Sequence, residues 1–184
     1  MILTPLTVVP GEGVPDPLPA ELTALYATNR AYHALSGDFP DPDDIRPEQV
    51  MAELAGEWAN PDTEVLLARD GGRLVGVVIT LAHHPDPDDP DPWIGLLMVD
   101  GRLHRRGYGR RIAGLVEDRF RAAGRTAVRL AVLDANPGAL AFWTRLGYVP
   151  LAHRADRERG RPCTVLRKEL TVREPSGAGR PRPA

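Results

Sequence analysis

The chain has a single cysteine, Cys163, a single lysine, Lys168, and few aromatic residues, 5% of 184. One cysteine cannot close an internal disulfide, so nothing points to an oxidising compartment. No local signature around Cys163 marks a nucleophile. With one lysine among 23 basic residues, chemistry that needs a lysine base or Schiff base is nearly excluded. No apolar run approaches the roughly 18 residues of a membrane helix. The first ten residues lack a basic stretch and carry Pro5 and Pro10, so they do not read as a secretory signal. Charge of one sign is also missing: a formal net charge of -2 argues against a dedicated nucleic-acid binder. The expectation is a soluble cytoplasmic protein with neither membrane nor nucleic acid as partner.

An apolar fraction of 42% and a charged fraction of 26% suit one ordinary globular domain. Residues 2–9 read as a first strand, and Leu22, Leu25, Tyr26, Asn29 and Tyr32 fall near helical spacing behind Pro19. A second helix follows with Pro47 near its start. Val65 to Arg69 and Leu74 to Leu81 are β-rich runs around Asp70-Gly71-Gly72-Arg73, a strong hairpin signal. Ile94 to Val99 is nearly continuous and apolar, as in a strand buried on both faces. A helix from about Gly107 to Ala123 ends at Gly124, and 127–133 is the next strand. A short helix closes at Gly147, and 148–153 and 164–170 are the last two strands. The predicted order is β-α-α-β-β-β-α-β-α-β-β, an α/β or α+β domain with a mixed sheet. The domain is expected over 1–170, with a disordered tail over 171–184, where Pro, Gly and Arg run without periodicity.

The most informative stretch is His104-Arg105-Arg106-Gly107-Tyr108-Gly109-Arg110. It follows a buried strand and opens an amphipathic helix. Two glycines let the backbone approach a ligand and aim successive N–H groups at one spot. The helix N-terminus adds partial positive charge, and arginine forks suit phosphate. The ligand implied is a polyphosphate. There is no G-x-x-x-x-G-K-[ST], and Ile112 occupies the third glycine position of a dinucleotide turn, so neither of those folds fits.

Farther along, Asn136-Pro137-Gly138-Ala139-Leu140-Ala141-Phe142-Trp143-Thr144-Arg145-Leu146-Gly147-Tyr148 resembles the N-x-x-A-x-x-F-Y-x-x-x-G-F pattern of the GNAT (N-acetyltransferase) superfamily. The arginine-rich turn resembles that superfamily's [RQ]-x-x-G-x-[GA] pyrophosphate loop, and Ile94 to Val99 looks like the strand before it. The resemblance covers roughly residues 60–170 well. It implies a GNAT-like mixed, mostly antiparallel sheet flanked by helices, split into a V that holds acetyl-coenzyme A between the strands at 94–99 and 127–133. It further implies a strand bulge that presents a backbone N–H, best assigned to Val99, to the thioester carbonyl. The same resemblance assigns Leu97, Met98, Val99, His104, Arg105, Arg106, Gly107, Tyr108, Gly109, Arg110, Asn136, Phe142 and Trp143 to the coenzyme. Acetyl-coenzyme A is the implied co-substrate, with no metal, and a homodimer is implied by family habit alone. Two departures stand out. His104 replaces the usual Gln or Arg, and Trp143 replaces a tyrosine proposed to protonate the leaving thiolate.

The acceptor implied is a primary amine of a small molecule or a protein, acetylated by direct transfer while both substrates are bound. It must lose a proton. Asp38 and His83 are the leading candidate bases, with His84 and Asp100 behind them. The acidic loops 37–44 and 86–91 read either as solvated turns or as a field drawing in a cationic amine. His83 and His84 beside Asp86, Asp88, Asp89 and Asp91 lack metal-ligand spacing. The rival readings are a catalytically silent acyl-coenzyme A-binding module and an arginine-rich phosphate-binding scaffold.

Overall fold

The computed structural model describes residues 1–8, 13–86, 88–157 and 159–171. Of the tail expected over 171–184, residues 172–184 lie outside these residues. Strand β1 (Ile2–Pro5) leads to α1 (Leu18–Ala27), α2 (Arg30–Ser36) and α3 (Pro47–Trp58). Then come β2 (Thr63–Asp70), β3 (Arg73–Leu81), β4 (Trp93–Val99) and a 3-10 turn at Gly101–Leu103. The chain continues through α4 (Tyr108–Ala122), β5 (Ala127–Leu133), α5 (Pro137–Arg145), β6 (Val149–Ala155) and β7 (Pro162–Glu169). Among the described residues no helix is long and apolar enough to cross a membrane.

The local causes are those the sequence advertised, with one exception. Gly71 and Gly72 both take positive φ, 57° and 83°, which lets a two-residue turn join β2 to β3 without splaying them. Pro47 starts α3 where its missing N–H costs nothing, and Gln49 Oε1 accepts the Arg46 N–H at 2.8 Å. The exception is the first helical stretch. It breaks at Thr28-Asn29 into α1 and α2, where the Asn29 side chain donates to Val99 O of β4.

The sheet runs β1-β2-β3-β4-β5-β7-β6 and is antiparallel except between β4 and β5. Its two faces carry separate cores. Helices α1 to α3 cover one face with Leu22, Leu25, Val50 and Leu54 over Val65, Leu67, Val77 and Ile79. Helices α4 and α5 cover the other with Ile112, Ala113, Val116 and Trp143 over Leu66, Val78, Val128 and Leu130. Adjacent residues such as Leu66 and Leu67 therefore bury on opposite sides, as a sheet covered on both faces requires.

Strands β4 and β5 pair only at Trp93↔Arg129 and Ile94↔Leu130. Beyond that they separate, and β5 continues to Leu133 against β7 instead. The result is a V-shaped opening at the middle of the sheet. Strand β4 is accordingly buried at both ends but open at Gly95, Leu96 and Leu97, unlike the continuously buried strand its sequence suggests. The departing neighbour leaves those residues uncovered.

Candidate active site

The edge of the opening is set by a bulge. Thr80 pairs with Ile94 and Ile79 with Leu96, so Gly95 is an extra residue on β4. It lies two residues before Leu97. After it, Leu96 and Met98 face the α1–α3 core while Leu97 and Val99 face the α4–α5 core. Asp100 donates its N–H to Val75 O at 3.0 Å, so by the alternation of an antiparallel ladder Met98 also turns its peptide groups to β3. Leu97 and Val99 turn theirs toward β5, which is no longer paired there. This corrects one expectation: Met98, buried and bonded to β3, offers the opening no backbone group.

The end of β4 is held by residues that sequence reasoning missed. Asn29 Nδ2 donates to Val99 O and to Leu25 O, both at 3.0 Å. Thr28 Oγ1 accepts the Gly101 N–H at 2.8 Å. A Cβ on Gly101 would sit 2.3 Å from Thr28 O, so only glycine permits the α1–α2 turn to dock so closely. His104 Nε2 also reaches Val99 O, at 3.1 Å. The side chain that departs from the family pattern thus turns back to β4 and fixes the strand. Val99 C=O is fully engaged, and its N–H faces the opening.

The phosphate-type turn follows directly. Arg105 and Gly107 take positive φ, 62° and 84°. Gly107 is the N-cap of α4 and has no side chain to satisfy the first-turn N–H groups. An α-helix leaves four such donors without internal partners, and here they add to the helix dipole. Arg105, Arg106 and Arg110 are exposed around them. Tyr108 donates its hydroxyl to Asp70 Oδ2 at 3.1 Å, anchoring the turn to the β2–β3 hairpin. Gly109 matters for a different reason: a Cβ there would lie 3.2 Å from the Phe142 ring, which would have to give way. That contact seats α4 against α5, so the two sequence motifs meet in space. Asn136 caps α5, its Oδ1 accepting the Ala139 N–H at 3.1 Å. An uncapped helix N-terminus, flanking guanidiniums and an open strand edge suit a ligand with a pyrophosphate and an amide-bearing arm.

Several expected residues do other work. Trp143 is only 7% exposed, edge-on to Phe142 and Tyr148 with both centroid distances 4.9 Å. It is a core residue rather than a coenzyme contact. The Tyr148 hydroxyl is buried, and that burial drives its pKa up, so it is no substitute acid at neutral pH. Asp100 is 1% exposed and gripped by Arg102 and Arg73; the Arg102 hydrogen bond chiefly holds its carboxyl down at about 2. Such an anion is too weak a base for an ammonium.

His83 is also misplaced for general-base work. Leu81, the end of β3, lies five residues beyond Gly76, the partner of Val99, and His83 lies two further on. At about 3.3 Å per residue that puts it roughly 20 Å from Val99. Its Nδ1 meets Asp62 Oδ1 at 2.8 Å and its Nε2 meets Arg125 at 2.9 Å. His84 Nδ1 accepts the Asp86 N–H at 3.1 Å, and burial lowers its pKa, which makes Nε2 an N–H donor and leaves no free lone pair. Asp38 follows α2 and places its charge near Arg161, His33 and Tyr26.

The acidic loop 86–91 is solvated only in part, with Asp88 exposed. Asp89 and Asp91 are buried. Arg129 and Arg167 are register partners on β5 and β7, and like charges placed opposite one another repel. Asp91 Oδ2 accepts from the Nε of both, at 2.8 and 2.7 Å, and Asp89 meets Arg129 at 2.9 Å.

The sequence profile of the Acetyltransferase (GNAT) family matches residues 28–148, from the α1–α2 turn through the end of the second motif. The chain belongs to this family, whose members are acetyl-coenzyme A-dependent acetyltransferases. Solved structures agree on the fold. An acetyltransferase from Thermus thermophilus superposes with a TM-score of 0.65 at 22% identity, covering 92% of this chain and 97% of that one. The ribosomal-protein-S18-alanine N-acetyltransferase from Escherichia coli gives 0.61 at 15%, covering 97% and 100%. An aminoglycoside 6'-N-acetyltransferase complexed with coenzyme A gives 0.62 at 15%, covering 95% and 100%. No curated protein sequence matches.

Proposed function

We propose that the chain moves the acetyl group of acetyl-coenzyme A directly to a primary amine, with both substrates bound in the β4–β5 opening. The observation that carries this reading is the alignment of two features. The unpaired β4 edge at Leu97 and Val99 leads, through the turn over 100–107, to the uncapped N-terminus of α4. The pyrophosphate would rest on the N–H groups from Arg105 to Arg110, and the pantetheine arm would extend along β4 past Asn136 and Phe142. The thioester carbonyl would meet the Val99 N–H. A fixed donor at the oxygen that gains charge contributes about 2.7–4 kcal/mol to such a step.

Attack by the neutral amine forms the C–N bond, collapse expels the coenzyme thiolate, and the amine proton passes to water. A thiol with pKa near 8.5 leaves without protonation, so Trp143 need not replace the tyrosine of the family pattern. With His83, His84 and Asp100 committed elsewhere, the rate should follow the free-base fraction of the acceptor. A plot of log kcat/KM against pH should then rise with unit slope toward the amine's pKa. A plateau near neutrality would reveal an enzyme base, and Asp38→Asn would then be the variant to examine. Loss of about 10²-fold or more in Asp38→Asn would make Asp38 that base.

The decisive experiment is calorimetric titration with acetyl-coenzyme A, with NAD as control, followed by thiol release over an amine panel. One-site binding with turnover supports the reading. Binding without turnover on any amine supports the silent module, and no binding at millimolar ligand removes both.

A further inference from the structure

Beside the β4 bulge lies a cavity of about 260 Å³ that none of the residues assigned above explains. Its walls are apolar where they meet the sheet, at Ile79, Leu81 and Trp93, and polar at the rim, at Glu57 and Asn60. Gly95 forms part of its floor. We infer that this cavity is the acceptor subsite and that it selects a compact primary amine with an apolar or aryl body. The inference rests on the acetyltransferase reading for its chemistry, but not for its location.

Three observations place the amine there. First, Gly95 lies two residues before Leu97 and four before Val99, roughly 7 and 13 Å along the strand. An amine with its body in the cavity therefore extends its nitrogen into the opening from the α1–α3 side. Second, the volume holds about nine water-sized units at ~30 Å³ each, which matches the body of an arylalkyl amine. Third, the walls are built to stay put. His84 stacks on Trp93 at 4.9 Å, and Trp93 Nε1 donates to Asp89 Oδ2 at 3.0 Å. Asp89 is in turn fixed by Arg129. The acidic loop thus serves to hold one wall, through Asp89.

Gly95 supplies the test. Its φ is not in the left-handed region, and a Cβ there would meet Ile79 only at ordinary contact, 3.7 and 3.8 Å. A larger side chain fills the cavity without strain on the backbone. Phenethylamine, propylamine and a free N-terminal peptide should be compared by thiol release on the full chain, Gly95→Leu and Thr63→Phe. Thr63→Phe fills the same space from the first residue of β2. In parallel, amide and indole NMR shifts should be followed as phenethylamine is added without coenzyme.

The expected result is a kcat/KM for phenethylamine at least tenfold below wild type in both variants, with acetyl-coenzyme A affinity within twofold. Shifts should centre on Gly95 and the Trp93 indole. Shifts that centre elsewhere, a peptide preferred over every small amine, or variants as active as wild type on phenethylamine would overturn the inference. Absence of acetyl-coenzyme A binding in wild type would strike the acetyltransferase reading instead, and the NMR titration would still decide the cavity.

Discussion

In the arm of the sheet from β1 to β4, the inner strands are buried on both faces; β3 is buried at every position from Leu74 to Thr80. In the arm formed by β5, β7 and β6, the outermost strand is exposed almost throughout, with Val149 and Leu151 open to solvent. Val128, Leu130 and Leu166 of the second arm are buried too, but its junction with the first arm leans on charge. Backbone pairing between them is limited to two residue positions. At the narrow end of the opening, Asp89 and Asp91 from the first arm grip Arg129 and Arg167 of the second. At the wide end, Arg159 and Arg161 beside β7 donate to Gly37 O and Ser36 O at the end of α2. A site between two weakly paired arms needs such ties, because the cleft itself removes the hydrogen bonds that would otherwise join them.

The sharpest way to break this arrangement is Asp91→Ala. It leaves two opposed, half-buried guanidiniums with one anion fewer, and removing one partner of a buried ion cluster typically destabilises by 3 kcal/mol or more. For a chain of this size, a loss of about 3 kcal/mol should lower Tm by roughly 6–12 °C in calorimetry. A change below about 2 °C would mean that apolar packing, and not charge, joins the arms.

Asp100 offers a tie within the first arm, at the end of β4. Its carboxyl is held at about 2 in the folded chain, chiefly by Arg102, against an ordinary value of 3.8. A depressed acid stabilises the fold above its unfolded pKa and loses that contribution as pH falls through the folded value. Asp100→Asn should therefore be less stable than wild type by about 2 kcal/mol at pH 7. The gap should narrow through pH 4 and nearly close by pH 2. Urea unfolding at those three pH values checks it, and a gap independent of pH would assign the loss to packing.

Gly109→Ala probes the seam where the arms meet on the α4–α5 face. Its new Cβ must displace the Phe142 ring by a few tenths of an ångström. Shifting the α4 N-terminus from the strand edge should weaken acetyl-coenzyme A about tenfold, close to 1.4 kcal/mol, in the titration described above. Gly114→Ala, in the same helix with open space around it, should leave affinity unchanged.

How much of this was readable beforehand follows the same division. Turn glycines, the Pro47 helix start and the two motifs are local signals, and the elements they predict from β2 onward appear within a few residues of their expected bounds. What failed depended on partners far along the chain. Asn29 looked like one more helix position, yet its partner Val99 is 70 residues away. Asp91 looked like a solvated loop residue, yet Arg167 lies 76 residues on. The open middle of β4 was invisible because apolar composition reports burial in general, not the loss of one neighbour. Trp143 and Met98 were assigned by position in a motif, and burial decided otherwise.

The smallest effect on stability, and the most informative about the opening, belongs to Arg159 and Arg161. Exposed or half-exposed pairs rarely contribute more than about 1 kcal/mol, so replacing both arginines by alanine should lower Tm by only about 2–4 °C. Their geometry makes a functional effect the larger one. They cross from the second arm to α2, on the same side of the sheet as the cavity beside Gly95. Releasing them should leave acetyl-coenzyme A affinity as it is, since the coenzyme site proposed above lies at α4 and the β4 edge, and should raise KM for the amine several-fold. If KM holds while kcat changes, the tie governs product release instead of acceptor binding. If neither moves, the two arms are set by the Asp91 cluster alone.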